Sequence, residues 1–127
     1  GVNIMAVTLK AIASNDELAS VNDGGTTTDT LYTSTGGPTQ INQITAVNTS
    51  TTVPQLVTFW VLDSGVAASS VDPTWAEVVP VSAGSGLHGW KIVSGLLGQV
   101  IPTGGALKCS TTTTAVVTVT ASGILVT

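Results

Sequence analysis

The sequence is short of charge, and above all of positive charge. Arginine is absent, the only cations are Lys10, Lys91 and Lys108, and charged residues make up 8% of the 127 residues, against about 25% in a typical soluble domain. Nucleic-acid binding requires clustered cationic side chains that neutralise phosphates. Three scattered lysines form no such cluster, so we expect no nucleic-acid partner.

Residues that hold metals or carry out catalysis are equally scarce. Cys109 is the only cysteine and His88 the only histidine, so the chain can form neither an intrachain disulfide nor a metal site of the usual kind. The remaining catalytic candidates are His88 with Ser85 or a distant aspartate as a general base, and a carboxylate pair drawn from Asp63, Asp72 and Glu77. Aspartates at strand ends are more often turn formers, so we expect no enzyme and no cofactor.

No apolar run reaches the roughly 18 residues needed to cross a bilayer, and we expect no membrane partner. What the sequence does contain is 22 threonines and 18 valines, residues that suit a pleated, half-buried surface. With 43% apolar residues and little charge, the composition is the opposite of that of a disordered chain. It predicts β structure.

Short alternating segments, separated by Gly, Pro and Asp, recur along the chain and are typical of strands. The predicted segments are 6–13, 30–35, 39–48, 55–63, 75–81, 87–94, 95–101, 106–112, 115–120 and 124–126. Because no helices lie between them, the pattern indicates an all-β fold: a single antiparallel β-sandwich of about eight strands, jelly-roll or Ig-like.

Three of these segments have features that predict more than a strand. Segment 55–63 is apolar on both faces, so we expect an inner strand that is covered on both sides. Segment 39–48 alternates with an irregularity in its middle. Gly123 interrupts the last apolar segment, and an isolated glycine in a strand often marks a bulge.

The chain divides at residue 30. Residues 31–127 carry the regular pattern of a sandwich domain, whereas residues 1–30 read as an N-terminal arm with one strand and a polar Gly/Thr/Asp link. The arm strand either completes its own sandwich or reaches a neighbouring subunit, and the long, flexible composition of the link favours the second. In the second case its apolar side chains would add a strand to a partner's sheet edge; these are Val2, Ile4, Val7, Leu9 and Ile12.

The tryptophans and the missing charge bear on partners. Trp60 lies in the doubly apolar segment and is expected in the core, whereas Trp75 and Trp90 are candidates for a contact surface or for stacking on a sugar. A free monomer normally keeps about 25–35% of its surface charged and protects its sheet edges with lysine. With three lysines in all, this chain is better explained as a subunit that other subunits cover, including copies of itself.

Six phrases of the sequence, in this order, resemble small β-sandwich structural proteins of tailed bacteriophages. They are Leu31-Tyr-Thr33, Ile44-Thr-Ala-Val-Asn-Thr-Ser50, Val57-Thr-Phe-Trp-Val-Leu62, Val79-Pro-Val-Ser-Ala-Gly84, the leucine-rich step from Leu96 through Gly104, and Val117-Thr-Val-Thr-Ala-Ser-Gly-Ile124. The resemblance covers about three quarters of the chain, from Leu31 to Val126. Residues 1–30 carry no shared phrase.

The resemblance implies a capsid decoration, or cement, protein on the outer capsid surface of a virion. Such a protein would stabilise the shell by bridging subunits of the major capsid protein, as a small homo-oligomer, a dimer or a trimer. A receptor- or glycan-binding accessory module of the phage head or tail is the alternative that the resemblance leaves open.

Overall fold

The structure is a computed structural model, and it describes residues 6–17, 28–69, 71–84 and 88–127, with the backbone alone at 15 and 16. Nine strands and one short 3-10 helix form this part of the chain. The strands are β1 Val7–Glu17, β2 Asp29–Thr33, β3 Thr39–Asn48, β4 Gln55–Leu62, β5 Trp75–Val79, β6 Gly89–Ile92, β7 Val100–Ile101, β8 Ala106–Ser110 and β9 Val117–Val126; the 3-10 helix is Ser94–Leu96.

The strands form two antiparallel sheets that face each other. Sheet 1 has the order β1-β9-β3-β6, with β7 also paired to β3, and sheet 2 has the order β2-β8-β4-β5. The pairs are nested along the chain: β1 pairs with β9, β2 with β8, β3 with β6, and β4 with β5. A long hairpin rolled into two layers has this nested pairing, which is the topology of a jelly roll. The all-β sandwich prediction is confirmed, and its jelly-roll form is the one observed.

The core lies between the sheets, and strand alternation decides which side chains enter it. In β9, Val117, Val119, Ala121 and Leu125 are buried while the residues between them are not. Because successive side chains of a strand project to opposite faces, β9 places one face on the core and the other outside. Other large buried core residues are Ile41, Ile44, Val57, Phe59, Leu96, Ile101 and Leu107.

Strand β4 is covered on both faces, as its apolar sequence predicts. Val57 and Phe59 point into the core, while Trp60 pairs with Lys108 on the outer face of sheet 2 and is still buried. The β4–β5 loop covers it, because the Trp60 indole Nε1–H donates a hydrogen bond of 2.8 Å to the Ser69 carbonyl. Trp60 is therefore buried under a loop rather than between the sheets.

The expected irregularity of β3 is present, but the bulge expected at Gly123 lies elsewhere. The register shifts between Ile41 and Gln43 in β3 and between Ala11 and Ala13 in β1, while β9 runs continuously between them. A Cβ on Gly123 would overlap the Gln40 carbonyl oxygen and lie 2.7 Å from Ile12 Cδ1. Position 123 thus has no room for a side chain, because the backbone of β3 and the Ile12 side chain of β1 approach it closely.

Three further segments differ from prediction. Segment 95–101 forms the end of the 3-10 helix, a turn and the two-residue strand β7, because Gly95 and Gly98 interrupt its apolar run and Gly98 takes a positive φ of 82°. Segments 115–120 and 124–126 are parts of one strand, β9.

The described part of the N-terminal arm pairs within its own chain. Strand β1 pairs with β9 of the same chain and reaches Glu17, so it completes its own sandwich as an edge strand. Val2 and Ile4, together with the link at 18–27, lie outside the described residues. The division of the chain at residue 30 stays a prediction.

Candidate interaction surface

The outer face of sheet 1, called here the open face, is the candidate functional surface. Residues directly opposite each other in paired strands project to the same side of a sheet, so the register identifies the members of this face from the partners of the non-core residues of β9. They are Val7, Leu9, Ala11 and Glu17 of β1, Thr118, Thr120, Ser122, Ile124 and Val126 of β9, Gln40, Gln43, Thr45 and Val47 of β3, Trp90 and Ile92 of β6, and Val100 of β7.

The open face has apolar borders and a hydroxyl-rich centre. One row across the sheet runs Leu9, Ile124, Gln40 and Val100, so that apolar side chains occupy both edges. Between the borders, a shallow depression of about 170 Å³ is lined by Gln43, Thr45, Thr120, Ala121 and Ser122. The side chains of threonine, serine and glutamine make this surface polar without adding charge.

Charge is confined to the margin of the open face. Glu17, opposite Thr118, is the one charged residue that the register places on it within the described part of the chain. Lys10 lies on β1 and Lys91 on β6, two strands that also contribute to the open face. They pair with Gly123 and Ala46, whose positions face the core side. Alternation therefore sends both ammonium-bearing side chains to the other side of sheet 1.

Sheet 2 presents a different outer surface. A pocket of about 420 Å³ lies between β2, β8 and the β4–β5 loop. Asp63 and Lys108 line it together with the threonines Thr30 and Thr33. Because this side carries charges of both signs, the uncharged surface belongs to sheet 1.

The predicted partner-binding residues of β1 divide between surface and core. Val7 and Leu9 are exposed at the free border of the open face, and Leu9 is 83% exposed. Ile12 is predicted for the same surface but is buried, because strand alternation places it on the side opposite Val7 and Leu9, where it joins Ile41 and Ile44 in the core cluster.

Trp75 and Trp90 do not share a face. Trp90 is 59% exposed and stands on the open face opposite Val47. Trp75 pairs with the inward-facing Phe59, and its indole packs so closely on Gly95 that a Cβ there would overlap the ring. A single stacking platform made of both indoles is therefore absent from this arrangement.

The catalytic candidates are not brought together. His88 Nδ1 lies 3.3 Å from Ser82 Oγ, which also accepts a hydrogen bond from the Gly84 amide, while Ser85 lies outside the described residues. Glu77 accepts a bond of 3.3 Å from the Trp75 indole. Cys109 is buried in β8. In the ranges that the structure covers, no three His, Cys, Asp or Glu residues group as metal ligands, and no helix has the length and apolarity to span a bilayer.

The sequence identified Val7, Leu9 and Trp90 of the open face but missed its centre, its β3 members and Ile92 of β6. Thr45, Val47 and Ile92 alternate along their strands with residues that face the other side of the sheet. This alternation is the local signal that could have identified them as outward-facing. No local signal tells which strands are neighbours, because β3 pairs with β6 and β9 across about 45 and 75 residues of chain.

The sequence matches no family model and no curated protein. Among solved structures, the chain is similar to the structure of the Gx strain of infectious bursal disease virus, at 14% sequence identity and a TM-score of 0.45, over 98% of this chain and 32% of that chain. It is similar to the VP2 subviral particle of the same virus at 14% identity and a TM-score of 0.42, over 96% of this chain and 32% of that chain. It is also similar to the T=1 particles derived from this virus, at 13% identity and a TM-score of 0.49, over 96% of this chain and 31% of that chain. This chain spans about a third of the length of those chains.

Proposed function

We propose that this protein is a non-enzymatic structural component of a virion, which decorates the outer surface of a phage capsid and stabilises it by bridging subunits of the major capsid protein. The observation that carries the proposal is the open face, an extended sheet surface with apolar borders and a single carboxylate at its margin. A phage capsid is proposed as the partner because six ordered sequence phrases resemble phage β-sandwich proteins.

The chemistry of the open face suits burial against another protein. Cores of protein interfaces are depleted in charge and enriched in aromatic residues, and the exposed Trp90 and Ile92 stand together on β6. Hydroxyl and amide side chains in the centre can exchange hydrogen bonds with a partner without the desolvation cost of a buried charge. Repeated over a lattice, many such modest contacts stabilise the assembled shell by mass action.

The test uses capsids stripped of this protein, to which the purified chain is added back. Replacing Ile92 by Asp is expected to weaken capsid binding about tenfold or more, because the interface would then bury an unpaired carboxylate. Binding is measured by co-sedimentation, and shell stability by the temperature at which the capsid releases its genome.

The matched control is Val66→Asp, since Ile92 and Val66 are 48% and 49% exposed but Val66 lies in the β4–β5 loop beside sheet 2. This variant is expected to bind as the unaltered protein does. Equal binding by both variants, or loss with Val66→Asp alone, would remove the open face from the proposal.

A receptor- or glycan-binding module is the second candidate, and the exposure of Trp90 favours it. Because Trp90 and Trp75 lie on different faces, a sugar that stacks on Trp90 should lose affinity with Trp90→Ala and keep it with Trp75→Ala. Stacking of a nucleobase on an aromatic ring contributes about 1–3 kcal/mol; taking the lower end of that range for a sugar ring, we expect a loss on a glycan array of about tenfold. Unchanged glycan binding by Trp90→Ala would eliminate this candidate.

A further inference from the structure

The hydrogen bonds at the start of β1 fix which of its backbone groups face away from the sheet. Ala6 and Thr127 exchange two bonds, N–H to carbonyl in each direction, at 3.0 and 2.9 Å. In an antiparallel pair such bonded positions alternate with unbonded ones. Thr8 and Lys10 therefore bond to β9, while Val7, Leu9 and Ala11 direct their N–H and C=O groups to the free edge.

This free edge is only partly protected against pairing. Edge strands are normally guarded by proline, by charged side chains, especially lysine, and by bulges. Strand β1 carries Lys10 and a bulge after Ala11 but has no proline, and it is the terminal strand of sheet 1 with no described strand beside it. The pairing with β9 is regular from Val7 to Ala11, and the first bulge comes only after Ala11. A flat template with six backbone groups, one N–H and one C=O from each of three residues, is left open.

We propose that a second copy of this chain pairs with this edge, antiparallel and about a two-fold axis at Leu9. Leu9 then lies opposite Leu9 of the second copy, and Val7 lies opposite Ala11 in both directions. All six groups are bonded, and the two copies of sheet 1 become one continuous sheet whose open faces join. The contact is isologous, as in most homodimers.

Side-chain size and charge both favour this register. On the open face the large Val7 meets the small Ala11, and the two exposed Leu9 side chains cover each other beside Ile124 and Val126. On the other side of the sheet Lys10 lies opposite Thr8, so the two ammonium groups do not meet.

The neighbouring registers are poorer. An axis at Lys10 would place the two lysines directly opposite each other, which is destabilising, and would run one strand into the Ile12 bulge of the other. An axis at Thr8 would leave Ala11 of each copy without a partner among Val7, Leu9 and Ala11. The axis at Leu9 is the one that pairs these three residues with each other.

The first test compares Leu9→Lys with Val71→Lys in the otherwise unaltered chain. The two residues are 83% and 87% exposed, but Val71 lies in the β4–β5 loop. In sedimentation velocity over a concentration series, we expect the unaltered chain and Val71→Lys to dimerise. Leu9→Lys should dimerise at least about tenfold more weakly, since its two ammonium groups would face each other across the axis. A monomeric unaltered chain, or equal dimerisation by both variants, overturns the proposal.

The second test determines the register in which the two β1 strands pair. Leu9→Cys should form an intermolecular disulfide on oxidation with diamide, because directly opposite Cα atoms lie within disulfide range. Thr8→Cys should not, since Thr8 faces Lys10 of the other copy, and the buried Cys109 does not compete. Efficient cross-linking of Thr8→Cys with none of Leu9→Cys would contradict the Leu9 axis.

This inference stands apart from the proposed capsid role. A dimer that forms without binding capsids would refute only the proposed function, whereas capsid binding by a chain that stays monomeric would refute only the self-pairing. In that second case, loss of binding with Leu9→Lys would assign the edge to a strand of the capsid protein instead.

Discussion

Replacing Gly123 by valine is expected to lower the free energy of unfolding by about 3 kcal/mol, at the upper end of the effect of overpacking. A Cβ at this position would overlap the Gln40 carbonyl oxygen and lie 2.7 Å from Ile12 Cδ1. The first obstacle is backbone of β3, which cannot move without breaking the pairing of β3 with β9. Urea denaturation followed by intrinsic fluorescence measures the change.

The control for this prediction is Ser122→Val, at the preceding residue of the same strand. Ser122 projects from the open face and is exposed, so a β-branched side chain there should change stability by no more than about 0.5 kcal/mol. Similar losses at both positions would mean that strand propensity, and not the close approach of β1 and β3, accounts for the glycine.

Replacing Trp60 by alanine is expected to cost about 3–5 kcal/mol. The indole is fully buried although it lies outside the space between the sheets, because the β4–β5 loop closes over it and Ser69 accepts its N–H. Its removal would leave a cavity under the loop and release one of the loop's attachments. We therefore expect both a lower denaturation midpoint and faster proteolysis within residues 63–74.

Two other tryptophan variants separate the loss of packing from the loss of the hydrogen bond and from the removal of an exposed indole. Trp60→Phe keeps most of the packing and removes the hydrogen bond, so its cost should be about 1 kcal/mol. Trp90→Ala removes an exposed indole and should stay within about 0.5 kcal/mol of the unaltered chain. If Trp60→Ala proved no more destabilising than Trp90→Ala, the loop would not be what buries Trp60.

Local patterns were sufficient to predict most of the strands. Segment 39–48 was predicted with the bounds that the structure shows for β3, and β4 was predicted as covered on both faces from the run Leu56–Leu62. Both predictions succeed because alternation and apolar runs report directly on how many faces of a strand are buried. Where glycines break the pattern, as at Gly95 and Gly98, the strand prediction was wrong.

The functional surface was only partly predictable. Val7 and Leu9 were singled out by their alternation in the N-terminal segment, and both lie on the open face. Ile12 lies on the same strand but not on the same face: alternation places it with Thr8 and Lys10 on the core side, where it is buried. What the local pattern of β1 does not contain is the bulge after Ala11, which places Ala13 beside Ile12 in the core.

The sequence by itself determined the all-β class, the position of most strands and the scarcity of charge, since each of these follows from residue types and their spacing over a few positions. Only the tertiary structure decided where the uncharged surface lies and which edge is open. Those features depend on β1 pairing with β9 and β3 with β6, and strand pairing between distant segments is settled by the packing of two whole sheets.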